Sequence, residues 1–292
     1  DFRPDGLADM ISAARAGAGS PEIIASNLVF SDTEPGDDRL AALAEAGAIR
    51  PWMLIERDGL RIGVVGVLGE AGYEVIGQAD PVTISEPIQT IRQTAQLLRA
   101  DHSADVVLLL SHSGVKEVDD DPLGWGGEEI DFAREIPEID AVIGGHSHTP
   151  LHEPIMVEGR PVVQAGSDGR FLGELVLSES GGGWEVERYT LHPIDDNLPG
   201  DPEITTFIEG IQDVVTEQVL RPGGYAFTQP LAESAAHLKR DFDSHALGNH
   251  VTDALRVAAG ADIAMTGNGT IRDEVRPGCL LYTSDAADEW IG

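Results

Sequence analysis

Three histidines stand where apolar runs end. Val106-Val107-Leu108-Leu109-Leu110 leads into Ser111-His112-Ser113-Gly114, and Ile139-Asp140-Ala141-Val142-Ile143 leads into Gly144-Gly145-His146-Ser147-His148-Thr149. A neutral imidazole is among the commonest ligands for zinc, manganese or iron, and its second ring nitrogen is left for a neighbour to orient. A solitary histidine at a strand end is more often hydrogen-bonded structure than ligand. The diglycine before His-x-His, taken together with His112, favours a divalent metal site. Gly144 and Gly145 are expected to free the backbone for a sharp turn that aims His146 and His148 at one point.

The elements that must position these side chains follow from the same runs. Each is continuously hydrophobic, the pattern of a parallel strand covered on both faces, and such sheets place their sites beyond the carboxyl ends of the strands. Helical spacing covers residues 7–16, a strand is expected over 23–30, and a helix over 38–47. A hairpin joins 52–56 to 61–67 through an Asp58-Gly59 turn. Residues 87–100 read as an amphipathic helix with proline in its first turn. Residues 117–127 form an acidic, glycine-rich surface loop in which Asp119, Asp120 and Asp121 are candidate ligands but more simply a solvated run, and 128–136 a short helix. Short antiparallel strands are expected at 155–157, 161–165, 173–177 and 184–187. Leu198-Pro199-Gly200-Asp201-Pro202 marks a boundary, a helix over 203–220 bridges onward, and a second unit begins near Tyr225 with a helix at 245–259 passing into a strand over 260–266.

At 292 residues the chain has length for one large or two smaller domains. No apolar run approaches the roughly 20 residues that cross a bilayer and no cationic leader is present, so a soluble chain without a membrane span is expected. Cys279 is the only cysteine, which forbids an intrachain disulfide. Acidic residues number 51 against 19 basic, a formal charge of −32, and only Lys116 and Lys239 are lysines. An excess of this size repels nucleic acid and anionic membranes, so neither is an expected partner. It is tolerable where salt screens it, since the Debye length falls to about 3 Å near 1 M. A salt-adapted source fits this composition; an acidic surface kept for solubility is the plainer alternative.

The motifs resemble those of the 5′-nucleotidases within the calcineurin-like metallophosphoesterases. Leu110-Ser111-His112-Ser113-Gly114 is similar to the family's LSHxG, Gly144 to Thr149 to its GGHSHT, and Gln164-Ala165-Gly166 with Leu172-Gly173 to its QAG…LG segment. Leu247-Gly248-Asn249, Asp253-Ala254, Ala261-Asp262-Ile263-Ala264 and Gly269-Thr270-Ile271-Arg272 resemble the family's C-terminal domain. The resemblance implies an α/β fold: a two-sheet metallophosphoesterase sandwich with flanking helices over 1–199, lacking its N-terminal strands, a connecting helix over 200–222, and part of an α/β C-terminal domain over 223–278. It implies His112, His146 and His148 as ligands of two divalent metal ions (Zn, Mn, Mg or Ca), and Arg272, Asn268 and Arg240 as contacts to a small-molecule nucleotide. Arg272 in a surface salt bridge with Asp273 or Glu274 is the plainer reading of that residue. The family's DxH, GD and GNHEFD segments are absent, and Asp1 is similar to the Asp of GNHEFD, which would make it half of a catalytic His–Asp pair. Asn268 stands one place late and Arg240 one place early against the family pattern.

The expected activity is hydrolysis of nucleoside monophosphates by metal-activated water, with the 292-residue chain itself a fragment of negligible turnover. A cyclic-nucleotide phosphodiesterase, a sugar-nucleotide hydrolase and a non-catalytic acidic cation-binding module are the alternatives. The family resemblance implies a periplasmic, cell-surface or secreted enzyme. Residues 279–292 read as the translation of a transposon-type sequencing adapter, and Cys279 and Trp290 are expected to carry no function.

Overall fold

The computed structural model describes residues 3–281 apart from 18, 120, 196, 242, 243, 272 and 273. The chain divides into two compact units, Asp1–Pro193 and Ile194–Gly292. The first is built on a six-stranded sheet in the order Ile155–Val157, Arg160–Val163, Ala141–Ile143, Val106–His112, Leu60–Leu68, Trp52–Arg57. Its four central strands are parallel and both edge strands are antiparallel to their neighbours. The register sets Leu68 beside His112 and Ile143 beside Leu110, so the chain segments following all three strands emerge along one edge.

The central strands are apolar on both faces because both are covered. Val65, Val107, Leu109, Val142 and Val162 are sealed from solvent together with Ile91, Ala95 and Leu98 of the Pro87–Ala100 helix and Ile130, Phe132 and Ala133 of the Glu128–Glu135 helix. Each of the Val, Leu, Ile and Phe side chains among them contributes roughly 1.5–3 kcal/mol relative to exposure, and each alanine less. The Pro87–Ala100 helix starts where its sequence says: the Glu86 carboxylate accepts the Ile88 and Gln89 N–H groups, and Pro87 takes the first turn, where its missing donor does no harm. The hairpin turns at Asp58 (φ 51°) and Gly59 (φ 86°), the left-handed pair of a two-residue hairpin loop.

Several expectations are corrected. The strand foreseen over 23–30 is two short ones, Ile23–Ile24 and Leu28–Val29, paired with different partners. Buried Asn27 interrupts it: its side chain accepts the Leu68 N–H at 3.1 Å and donates to the Leu68 carbonyl at 2.7 Å, a strand-like pairing made by an amide group. Inside the acidic loop, Lys116–Glu117 and Trp125–Gly126 pair as a small hairpin. Of the four strands expected to be antiparallel, Arg160–Val163 does pair antiparallel with Ile155–Val157, but it also pairs parallel with Ala141–Ile143, because its apolar Val162 and Val163 belong in the covered centre of the sheet. The remaining described strands pair in twos, including the long hairpin Phe171–Ser180 with Gly183–Pro193, rather than joining one broad second sheet.

In the second unit the Pro202–Val215 helix is capped by the Asp201 side chain and continues as one wide turn to Leu220. The Ala246–Ala259 helix ends at Gly260 in the left-handed conformation. No strand follows over 261–267, where Ile263 and Met265 are exposed. Pro230–Ser234 pairs antiparallel with Gly278–Leu281. Among the described residues, no helix is long and apolar enough to cross a membrane.

Candidate metal centre

His112 is the last residue of the Val106–His112 strand, and His146 and His148 lie in the loop that follows the adjacent parallel strand Ala141–Ile143. The structure brings the first two together: His146 Nδ1 is 3.4 Å from His112 Nε2, and the rings meet edge to face with centroids 5.1 Å apart. His148 lies within electrostatic reach. Burial lowers the His112 pKa from its ordinary value, and the charges that His146 and His148 would carry lower it further. The imidazolium form of His112 is thereby disfavoured, which keeps one ring nitrogen free of hydrogen and able to act as a ligand.

His146 (φ 69°) and His148 (φ 56°) both adopt the left-handed backbone conformation. A residue with a Cβ in that region is strained by about 1–3 kcal/mol and persists only where its surroundings impose it. This corrects the expected role of the diglycine, since neither Gly144 nor Gly145 has positive φ and the histidines themselves make the turn. The glycines provide clearance instead. A Cβ on Gly144 would overlap the Glu129 carboxylate, and one on Gly145 would sit 3.1 Å from His112 Nδ1.

Glu129 is the residue that sequence reasoning missed. It is fully buried, and its Oε1 accepts the N–H groups of Gly114 at 2.9 Å, Gly145 at 3.2 Å and Ser113 at 3.4 Å. Burial pushes its carboxyl above the usual range, opposed by those N–H groups and by the Ser111 hydroxyl. The neighbouring Glu128 accepts the Glu70 and Ala71 N–H groups at 2.9 and 3.0 Å, holding the segment after the Leu60–Leu68 strand. An acidic pair at a helix start reads in sequence as ordinary capping; only the fold shows what it receives. On the far side of the histidine loop, buried Gln164 accepts the Thr149 N–H at 2.7 Å and bonds the Ser147 hydroxyl, which in turn accepts the Val115 N–H at 3.1 Å.

The donor chemistry fits a cation in part. Two nitrogens bound at about 2.0–2.1 Å to one tetrahedral ion stand roughly 3.3–3.4 Å apart, the separation seen between His112 and His146. Among the described residues, however, no group of three or more His, Cys, Asp or Glu side chains is gathered closely enough to hold a metal ion. Asp121 accepts the Leu123 N–H within its own turn and Asp119 is exposed, while Asp120 lies outside the described residues. Asp1 and Arg272 also lie outside them. Arg240, in the second unit, is exposed and its backbone N–H bonds Glu274. Asn268 begins a single 3-10 turn, Asn268–Thr270.

A mostly parallel sheet with histidine-bearing loops at its carboxyl edge is an α/β fold of the metallophosphoesterase type. The chain is 25% identical over 248 residues to the trifunctional nucleotide phosphoesterase protein YfkN of Bacillus subtilis, covering 80% of this chain and 16% of that one. It is 30% identical over 229 residues to an apyrase of Aedes albopictus, covering 70% of this chain and 36% of the apyrase. It therefore spans well under half the length of either relative. A 5′-nucleotidase precursor from Thermus thermophilus shares the fold at a TM-score of 0.67 with 22% identity, over 95% of this chain and 54% of that one. No family model matches. By these likenesses the chain fits the 5′-nucleotidase family of calcineurin-like phosphoesterases, at low identity.

Proposed function

We propose that the chain is part of a two-metal 5′-nucleotidase that hydrolyses nucleoside monophosphates to nucleoside and phosphate. The observation that carries the reading is the 3.4 Å approach of His112 and His146 from the ends of neighbouring parallel strands. His112, His146 and His148 would hold the metal. Bound cations would acidify a water and stabilise the charge on the departing oxygen. The chain's own residues do the positioning. Gln164 fixes the loop between His146 and Thr149, the glycines admit the neighbouring groups, and Asn27 pins the strand end at Leu68, which lies beside His112.

Arg272, Asn268 and Arg240 are proposed as contacts to the nucleotide, an arginine fork being suited to a phosphate in an otherwise acidic molecule. Asp1 is proposed as the acidic half of a catalytic His–Asp pair. In our reading none of the 292 residues takes the place of the family's DxH, GD and GNHE segments, nor of the carboxylate that would bridge two cations. We therefore propose weak metal binding and negligible turnover for this chain alone, an exported parent enzyme, and a salt-adapted source.

Calorimetry with zinc and with manganese tests the centre. Saturable binding at one stoichiometric site, lost in His146→Ala, is the expected result. Non-stoichiometric binding that disappears in salt and ignores His146→Ala would replace the enzyme reading with an acidic cation-collecting module. Nucleotidase turnover by the 292-residue chain would overturn the proposed inactivity.

A further inference from the structure

Glu129 is a carboxylate with no cation beside it among the described residues, buried at the point where the two histidine-bearing loops meet. Its Oε1 takes two N–H groups from the loop after His112, those of Ser113 and Gly114, and one from the residue before His146, Gly145. Among the described residues its Oε2 is buried without a hydrogen-bond partner, and it lies in the space that Gly144 leaves open. Burying a carboxylate and leaving one of its oxygens unbonded is unfavourable, yet an apolar side chain there would leave the Ser113, Gly114 and Gly145 N–H groups without their acceptor. What the carboxylate supplies that an apolar residue cannot is one acceptor atom shared by two separate chain segments.

We propose that Glu129 is a positioning residue: through Oε1 it ties the His112 loop to the His146 loop and so sets the spacing of the two imidazoles. The claim rests on the reading of those histidines as metal ligands and adds a residue to it. Gly114 and Gly127 are part of the same device, for both have positive φ, and a Cβ on Gly127 would sit 2.7 Å from the Gly114 carbonyl. The three donors can therefore crowd onto one oxygen.

The test compares Glu129→Gln, which keeps an acceptor at Oε1, with Glu129→Leu, which keeps bulk and removes it. Backbone amide exchange reports the tie directly. In Glu129→Leu the Gly114 and Gly145 amides should exchange at least about tenfold faster while Val107 and Val142 in the sheet stay protected. Zinc affinity should fall about 10–100-fold, as expected when a group orienting metal ligands is lost. Glu129→Gln should restore both measurements to within about threefold of the parent chain. Unchanged exchange at Gly114 and Gly145, or unchanged zinc affinity in a folded Glu129→Leu, overturns the proposal.

If the parent chain itself binds no zinc, the metal reading fails, and the tie is judged from the imidazole nitrogen shifts of His112 and His146. Movement of both in Glu129→Leu, and of neither in Glu129→Gln, sustains it, and no movement in Glu129→Leu sinks it. Should Glu129→Leu not fold, Glu129→Gln decides the matter: retained exchange protection and retained imidazole shifts support the acceptor role, and loss of either rejects it.

Discussion

The two ends of the same pair of strands are fastened by carboxylates in opposite ways. At the amino end of Val106–His112 and Ala141–Ile143, Asp140 accepts the Val107 N–H at 2.6 Å and an Arg99 guanidinium N–H at 2.5 Å. That guanidinium also donates to the Ala104, Asp105 and Glu138 carbonyls. At the carboxyl end Glu129 gathers backbone N–H groups and the Ser111 hydroxyl, with no cation among the described residues to balance it. The first arrangement satisfies charge and hydrogen bonds together and is what stability asks for. The second holds the loop after His112 against the strained His146 loop at the cost of a buried carboxylate without a counter-charge, a trade that makes sense where the geometry of the loops matters more than the energy of the fold.

The largest contrast lies in the glycines of the two ends. Gly144→Ala places a methyl group against the Glu129 carboxylate, which three N–H groups pin in place, so a loss of about 3 kcal/mol or more is expected, at or beyond the usual range for overpacking. Gly63→Ala, near the other end, would place its Cβ 3.0 Å from Leu98 Cδ1 and 3.4 Å from Ala104 Cβ, a crowding that a shift of a few tenths of an ångström relieves. About 1 kcal/mol or less is expected there. Urea denaturation of both variants measures the difference, and equal losses would remove the argument that the Glu129 carboxylate is held rigidly.

Asp140→Ala comes next. It strands the Val107 N–H and the Arg99 guanidinium and should cost about 1–3 kcal/mol, with zinc affinity and the His112 and His146 ring signals unchanged. A shift in those signals would mean that the two ends are mechanically coupled and that the comparison between them is false.

How far the sequence revealed these two ends follows from the kind of signal each leaves. The central strands were legible because a sheet covered on both faces demands uninterrupted apolar runs, and Val107, Leu109 and Val142 supply them. Asp58-Gly59 and Glu86-Pro87 were legible because turns and caps are chosen locally. The placement of His112 at the end of its strand, and of His146 and His148 in the loop after the adjacent one, was legible from position alone. Glu129 was not, because its partners stand 15 and 16 residues away on either side and nothing at its own position distinguishes it from a solvated acid at a helix start. The strand break at Asn27 was hidden for the same reason, its partner Leu68 being 41 residues distant. The role of Gly144 and Gly145 was misjudged because glycine serves either conformation or clearance, and only the neighbours tell which.

The smallest expected effect separates strain kept for a purpose from strain that is incidental. His148 (φ 56°) at the carboxyl end and Ser103 (φ 54°) in the turn before the amino end share the left-handed conformation. Glycine removes the Cβ penalty of about 1–2 kcal/mol there, while adding unfolded-state entropy that takes back roughly 0.4–1 kcal/mol. Both His148→Gly and Ser103→Gly should therefore raise stability by up to about 1 kcal/mol. Only His148→Gly should weaken zinc binding. A Ser103→Gly variant that gains stability beside a His148→Gly variant that loses it would show that the His148 side chain packs usefully in the folded chain, and the histidine would then be explained by structure rather than by ligation.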